Sequence, residues 1–282
     1  MKRNAGLGLV LIACVAFVAG MSTANAQFIL DDLNSTVIGD ENPGPPLMRG
    51  WAVDNVSQLF ELDDYYRRGP NAPEMQLKTI APLVGPANVV DTNPFTDPRA
   101  DVAVMKYLLP QVIEVELKMS LMGAPLVPEM DPPNISDVTH QLRITNLGYE
   151  PLDFHLFQYA DFDLGGTVND LYAAVLPPDK VEQVDAGWKL TEVVTPDADH
   201  WEVAYYPTIK GLMTDALPTT LADIAGPVGP GDVEYGLQWD FVIEPGETFI
   251  LSKDMLITPE PSTVMLGLVG LLGLGLARRR RV

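Results

Sequence analysis

The sequence has few of the side chains that carry covalent or metal chemistry. Its 282 residues include one cysteine, Cys14, and three histidines, His140, His155 and His200. A single cysteine cannot form a disulfide within the chain, and no two histidines have the close spacing of a zinc motif. The sequence contains no Gly-x-Ser-x-Gly turn and no glycine-rich loop that opens a helix. These absences argue against serine hydrolases, zinc enzymes and nucleotide-binding proteins.

Basic residues are also scarce, with 18 lysines and arginines against 38 aspartates and glutamates, a net charge of −20. Residues 27–258 hold 12 of the basic and 37 of the acidic side chains, so their net charge is −25 (12 minus 37). Such a surface repels nucleic acid and anionic lipid, and we expect no nucleic-acid partner. It favours solubility, and it can attract divalent cations or a cationic polymer.

The N-terminus has the pattern of a secretory signal peptide over residues 1–26. Two basic residues precede an apolar run, and Ala24 and Ala26 form a small-x-small cleavage signal before Gln27. The alternative is a lipoprotein processing box at Leu11–Cys14. The apolar residues after Cys14 argue against it, because a lipoprotein normally has a polar tether there. Cleavage before Gln27 would leave a mature chain without cysteine, which excludes thiol catalysis.

The C-terminus combines a short motif, an uncharged run and a basic cluster. Pro259, Glu260 and Pro261 precede sixteen uncharged residues, 262–277. As a helix this run is about 24 Å long, a little less than the roughly 30 Å hydrocarbon core. The run ends at four adjacent arginines, Arg278, Arg279, Arg280 and Arg281. Because basic residues stay on the cytoplasmic side, the pattern predicts a transmembrane helix with the arginines as a membrane stop.

This arrangement resembles the PEP-CTERM sorting signal of Gram-negative bacteria, here over residues 258–282. The resemblance implies that an exosortase-type membrane protease is a partner and removes the tail. It also implies transient anchoring in the inner membrane, followed by delivery to the cell surface or the extracellular space. The resemblance covers about 25 residues and concerns delivery alone.

Between the two termini the hydrophobic pattern has the period of β-strands. Residues 113–121 alternate apolar and polar side chains along one predicted strand. Residues 233–251 predict a hairpin with its turn at Glu244–Glu247, and residues 140–159 predict a second hairpin with its turn at Asn146–Pro151. Short helices are expected only at Val56–Tyr66 and Ile209–Ala225.

These strands and their proline-rich connections predict an all-β ectodomain, an antiparallel two-sheet β-sandwich over residues 27–257. Stretches such as GWAVDNVSQLFELDDYYRRG and GDVEYGLQWDFVIEPGETFILSKD resemble a family of secreted PEP-CTERM proteins without an assigned activity. The hairpin TNLGYEPLDF is similar to accessory sandwich domains of carbohydrate-active enzymes.

One acidic stretch, DFDLGGTVND, has the composition of a calcium loop. Asp161, Asp163 and Asp170 surround a Gly-Gly turn, and calcium prefers such oxygen ligands on a flexible loop. The stretch departs from the EF-hand pattern, because Gly165 and Tyr172 stand where ligands belong. The aspartates are therefore expected either to hold calcium as a cofactor or simply to form the end of a hairpin.

The sequence favours a non-enzymatic role for the exported domain, structural or adhesive, in association with exopolysaccharide or biofilm. The alternative is a carbohydrate-binding module or a carbohydrate-active enzyme, a glycoside hydrolase or lyase. Glu114 and Glu116 share a strand face, and glycosidases use paired carboxylates, but so acidic a chain brings carboxylates together by chance. No catalytic residue is assigned from the sequence.

Overall fold

The computed structural model describes residues 27–95, 97–124, 135–185 and 187–260, which form seventeen strands and one α-helix. In chain order these are β1 (Gln27–Asp32), β2 (Ser35–Asp40), β3 (Met48–Val53), β4 (Val56–Ser57), β5 (Glu61–Arg68), β6 (Met75–Gln76), β7 (Asn88–Val90), β8 (Val102–Leu109), β9 (Ile113–Gly123), β10 (Ser136–Asn146), β11 (Leu152–Asp161), β12 (Tyr172–Leu176), β13 (Lys180–Asp185), β14 (Trp188–Thr195), β15 (His200–Tyr205), α1 (Thr208–Thr214), β16 (Val233–Ile243) and β17 (Thr248–Pro259). Single 3-10 turns lie at Leu77–Thr79 and Leu164–Gly166.

The strands form two antiparallel sheets that pack face to face. Sheet A has the order β1-β2-β3-β5-β11-β16-β15, with β4 beside β3 and β6 beside β5. Sheet B has the order β12-β13-β14-β17-β10-β9-β8-β7. The inner faces enclose one large cluster of buried apolar side chains. The predicted all-β fold, an antiparallel two-sheet sandwich, is confirmed.

The alternating pattern in the sequence corresponds to the inner and outer faces of the sheets. In β9 the apolar residues at alternate positions from Ile113 to Leu121 are all buried, and the residues between them are half-buried or exposed. Trp51, in β3, is fully buried, and its indole Nε1 donates to Ser136 Oγ of sheet B at 2.9 Å. The buried apolar area drives packing of the sheets, and the Trp51 bond satisfies a polar group that burial would otherwise penalise.

The two predicted hairpins are wrong, although their strands are right. β10 pairs with β9 and β17 in sheet B, whereas β11 pairs with β5 and β16 in sheet A. The turn at 146–151 therefore crosses from one sheet to the other, and the turn at 244–247 crosses between β16 and β17 in the same way. Asn146 joins the two crossings, since its Nδ2 donates to Ile243 O at 2.9 Å and its backbone N–H to Glu247 O at 3.0 Å.

Of the two predicted short helices, one is present and one is absent. Helix α1 begins one residue before the predicted range 209–225 and covers only its first six residues. The range 56–66 forms β4 and most of β5 instead. β5 is buried on both faces, so its sequence lacks the apolar-polar alternation of a half-buried strand.

A buried polar network joins the inner faces of the two sheets. Lys253 of β17 donates from Nζ to Asp64 Oδ1 of β5 at 2.7 Å. Glu192 of β14 accepts from Tyr235 OH at 2.6 Å and from Gln158 Nε2 at 2.9 Å. All five side chains are at most 2% exposed. Charged groups persist at such depth only when they are paired, so the network fixes how the sheets face each other.

His140 lies beside this network and belongs to the core. It is fully buried, with Nε2 at 3.6 Å from Asp64 Oδ2. Burial, and then the charge of Lys253, lower the pKa of His140 from 6.5 to about 3 despite the opposing effect of Asp64. The neutral ring therefore contributes stability above pH 6.5 that is lost progressively as the pH falls toward 3.

Close packing between β1 and β2 depends on a glycine. A Cβ on Gly39 would lie 2.1 Å from Phe28 Cζ, whereas one on Gly50 of β3 would meet Ile38 at an ordinary 3.8 Å. We expect Gly39→Ala to lower the free energy of unfolding by about 1–3 kcal/mol through overpacking. Chemical denaturation measures this, and Gly50→Ala is the matched control, expected within about 0.5 kcal/mol of the wild type. Equal effects of the two substitutions would contradict the overpacking explanation.

No helix within the described residues is both long enough and apolar enough to cross a membrane. The predicted transmembrane run at 262–277 lies outside these residues, as do Pro261 and the arginines Arg278, Arg279, Arg280 and Arg281. Ala24 and Ala26 of the predicted cleavage signal also lie outside them, and Gln27 is the first residue of β1.

Candidate functional site

The outer face of sheet A carries rows of polar and aromatic side chains. The register of β5, β11 and β16 aligns Glu61, Asp161 and Glu234 at one end of the face. At the other end it aligns Arg67, His155 and Asp240. The rows between them contain Tyr65, Phe157, Gln238, Asp63 and Tyr159.

The connection between β15 and β16, residues 206–232, covers the middle of this face. Ile209 and Met213 of α1, together with Leu221, pack on the aromatic rows in a second apolar cluster. Side chains beside the face accept hydrogen bonds from backbone N–H groups of the connection: Glu74 from Thr219 at 2.9 Å, Gln238 from Leu221 at 3.0 Å and Glu202 from Ala222 at 3.0 Å. At the ends of the face the cover is partial: Glu234 accepts from the Ile209 N–H and Arg67 donates to Thr219 O, whereas Asp240 stays exposed.

Three aspartates meet at the first end. One carboxylate oxygen each from Asp161, Asp163 and Asp232 lies within 4.8 Å of the other two. They line a small pocket of about 130 Å³ together with Phe60, Val168 and Tyr206. Those three lining residues are 54%, 55% and 44% exposed, so the pocket opens to solvent between apolar and aromatic groups. We call this the acidic pocket.

Burial and mutual repulsion disfavour ionisation of these carboxyl groups. Burial, followed by the charges of Asp232, Asp163 and Glu234, raises the pKa of Asp161 to about 8. Burial also raises the pKa of Asp163 and of Asp232, although both are partly exposed. The pocket therefore shifts these carboxyl groups toward the protonated form, and a positive charge between them would favour the ionised form.

The structure brings two of the three predicted calcium ligands together and replaces the third. Asp161 and Asp163 lie in the acidic pocket, but Asp170 does not join them. Its backbone N–H donates to Gly231 O at 2.9 Å, and its side chain is 1% exposed. Burial raises the pKa of Asp170 to about 7.

Asp232 takes the place beside Asp161 and Asp163, and sequence reasoning missed it. β11 and β16 pair antiparallel with Asp161 opposite Glu234, so the residue two positions before Glu234 falls near the residue two positions after Asp161. Asp232 is 69 residues from Asp163 in the chain, and only the strand pairing makes them neighbours. A signal was present in the sequence, since Asp232 stands directly before a strongly alternating strand.

Two histidines meet at the opposite end of the face. His155 Nδ1 lies 2.6 Å from Asp240 Oδ1, and His200 Nε2 lies 3.8 Å from Asp240 Oδ2. His200 Nδ1 is in turn 2.9 Å from Asp223 Oδ1. Gln238 Nε2 donates to Asp240 at 2.9 Å and so fixes the carboxylate. We call these residues the histidine row.

The two imidazoles of the histidine row differ in access. The side chain of His155 is 14% exposed, and its Nε2 is buried without a hydrogen-bond partner. The side chain of His200 is 31% exposed. His155 therefore positions Asp240, and His200 is the imidazole that a ligand can reach. The two histidines are 45 residues apart and form no sequence motif, because they become neighbours only through the pairing of β11 and β15 with β16 between them.

The predicted sorting motif begins where sheet B ends. Pro259 is the last residue of β17 and pairs with Trp188, and the backbone N–H of Glu260 donates to Gly187 O at 2.8 Å. The first two residues of Pro259-Glu260-Pro261 thus lie beside the ends of β14 and β17 that pair with each other.

Comparison with solved structures shows the fold in enzymes that act on carbohydrates. A protein from Escherichia coli K12 assigned as an aldose 1-epimerase is 12% identical, with a TM-score of 0.51, over 83% of this chain and 99% of that one. A bacterial glucoamylase complexed with acarbose is 10% identical, with a TM-score of 0.52, over 89% of this chain. The chain spans 35% of the length of the glucoamylase. A comparison with curated proteins finds no match.

These neighbours correct one prediction. The sequence favoured a non-enzymatic domain, and that prediction is wrong because the domain has the fold of carbohydrate-active enzymes. At such low identity the likeness concerns the fold. The alternative, a carbohydrate-active domain, was kept because of the TNLGYEPLDF hairpin, but no catalytic motif of contiguous residues favoured it.

The C-terminus matches a described signal. Residues 258–281 match the PEP-CTERM protein-sorting motif, which agrees with the predicted range 258–282. The match covers the proline-glutamate-proline triplet, the uncharged run and the four arginines. The chain therefore carries a PEP-CTERM sorting motif, which implies an exported, surface-sorted protein.

Proposed function

We propose that the exported domain is a carbohydrate-active protein of the cell surface that acts on saccharide at the histidine row. The observation that carries the proposal is Asp240 between the imidazoles of His155 and His200 on an open end of sheet A. The fold shared with an aldose 1-epimerase along nearly all of that enzyme supports the choice of saccharide as substrate.

The chemistry assigned to the row is proton transfer. Opening and closing a sugar ring requires that a hydroxyl group lose a proton while the ring oxygen gains one. An imidazole exchanges protons near neutral pH, and a carboxylate on its second nitrogen fixes the tautomer. In this proposal His200 exchanges the proton, and Asp223 and Asp240 orient its ring. His155 acts indirectly, as a positioning residue for Asp240.

Polarimetry of freshly dissolved aldoses tests the proposal. We expect the purified exported protein to accelerate the interconversion of anomers and His200→Ala to reduce the rate by about 100-fold or more, the usual size of an acid-base contribution. Tyr149→Ala is the control, because Tyr149 is 84% exposed in the connection between β10 and β11. A wild-type protein that accelerates no aldose, or a fully active His200→Ala variant, would contradict the proposal.

A second candidate is adhesion to exopolysaccharide in a biofilm or extracellular matrix. It is favoured by Phe60 and Tyr206, which are 54% and 44% exposed beside the acidic pocket and available to stack on sugar rings. Glycan-array binding by the exported protein separates the two. Binding that Phe60→Ala with Tyr206→Ala abolishes, without catalysis of anomer exchange, supports adhesion.

A further inference from the structure

We propose that Asp161, Asp163 and Asp232 bind a divalent cation of the calcium class, whether or not the domain acts on saccharide. Their carboxylate oxygens lie within 4.8 Å of one another, a separation that one ion can bridge. Asp161 is the last residue of β11, Asp163 follows it by two positions, and Asp232 directly precedes β16, the neighbouring strand of sheet A. The pairing of β11 with β16 therefore brings the three ligands together.

A second observation, independent of the clustering, points to a missing ligand. Asp161 is 2% exposed, and its Oδ1 is buried without a hydrogen-bond donor. Its Oδ2 has one distant partner, Tyr159 OH at 3.4 Å. Buried carboxylate oxygens normally accept hydrogen bonds, and leaving one unsatisfied is costly. Asp161 also lines the acidic pocket, so a cation there would satisfy this oxygen.

The three aspartates have no basic partner among the residues that the structure describes. Neither lysine, arginine nor histidine there forms an ion pair with Asp161, Asp163 or Asp232. Lys210 of α1 is engaged by Glu61 and lies over the rings of Tyr65 and Tyr159. Three adjacent carboxylates without a basic partner are the arrangement that a bound cation stabilises.

The ligand chemistry selects the kind of cation. All three side chains offer oxygen, and no cysteine or histidine belongs to the group, which disfavours zinc and copper. Calcium takes six to eight oxygens in flexible geometry, and the pocket of about 130 Å³ has room for the waters that would complete its shell. With three carboxylates on an open pocket, we expect a calcium dissociation constant like that of extracellular calcium modules, about 0.1–1 mM.

Calcium titration of the chelator-treated exported protein tests the proposal. Isothermal titration calorimetry is expected to show one calcium ion per chain, and the melting temperature is expected to rise with calcium because the ion binds the folded state. Asp163→Asn keeps the size of the side chain and removes one charge, and it is expected to weaken the affinity by about tenfold or more. Asp197→Asn, on the exposed connection between β14 and β15, is the control with the same change of charge.

The outcomes are decided by comparing variants. Loss of binding in Asp163→Asn and in Asp232→Asn, with Asp197→Asn unchanged, supports the site. Circular dichroism identifies a variant that fails to fold, and the other variant then decides the question. Absence of calcium binding by the wild type at millimolar concentration, or equal affinities in all three variants, would overturn it. Failure of the polarimetric assay has no bearing on this result.

Discussion

Replacing Lys253 with methionine is expected to lower the free energy of unfolding by about 3–5 kcal/mol. Lys253 is fully buried and donates to Asp64 at 2.7 Å, and Asp64 is 2% exposed. Methionine fills a similar volume but leaves the Asp64 carboxylate buried without its cation. The largest part of the loss is therefore the cost of an unpaired charge in the core rather than a loss of packing.

Denaturant unfolding of the exported protein measures this effect. Lys106→Met is the matched control, because Lys106 pairs with Glu114 at 3.0 Å while 40% exposed, and its loss should cost less than about 1 kcal/mol. The double variant Lys253→Met with Asp64→Leu should recover most of the stability, since neither charge remains. If the double variant were as unstable as Lys253→Met alone, packing rather than charge would explain the loss.

The exported protein is expected to lack residues 262–282 altogether. The predicted exosortase-type protease would cut at the Pro-Glu-Pro motif while the uncharged run lies in the inner membrane. Since Pro259 pairs with Trp188 at the ends of β17 and β14, cleavage before the motif would remove that pair from the ladder. Mass spectrometry of the protein recovered outside the cell tests this, and peptides from residues 262–277 there would show a permanent anchor instead.

The four arginines are expected to be necessary for this processing. Guanidinium groups are costly to draw through a bilayer, so they hold the run in place with the motif on the outer side. Replacing Arg278, Arg279, Arg280 and Arg281 with serine should leave the precursor uncleaved or wrongly oriented. A control with lysine at all four positions retains the charge and should be processed. Normal processing of the serine variant would contradict the stop function.

The strands were predictable because burial on one face leaves a period of two in the sequence. β9 shows this well, with buried residues at alternate positions from Ile113 to Leu121. β5 was missed because both of its faces are covered, one by sheet B and one by the connection over residues 206–232. A strand covered on both sides shows no difference in hydrophobicity between its two faces. In β5, polar residues such as Asp63 and Asp64 are buried as well.

The pairing of the strands was not predictable from turn chemistry. Proline and glycine at Pro245 and Gly246 predict a reversal of the chain, and a reversal occurs. Those residues do not determine whether the next strand pairs in the same sheet or crosses to the other. That choice depends on bonds to distant residues, such as the donation from Gly246 N–H to Asn146 O at 2.8 Å.

The candidate sites likewise contain some residues that one short stretch of sequence indicates and others that only strand pairing brings together. Asp161 and Asp163 were identified because they stand beside a Gly-Gly turn within one short acidic stretch. Asp232, like the pairing of His155 and His200 with Asp240, arises from the register of β11, β15 and β16. No local motif records such a register, so the sequence alone suggested neither site in full.

The position of β17 makes completion of sheet B depend on the end of the folded domain. β17 is the last strand of the described residues, yet it lies between β14 and β10 in the interior of sheet B. As long as residues 248–259 are unpaired, the strands β12-β13-β14 have no neighbour joining them to β10-β9-β8-β7, and Asp64 has no lysine opposite it. The two parts of sheet B therefore join only through the segment that runs directly into the sorting motif.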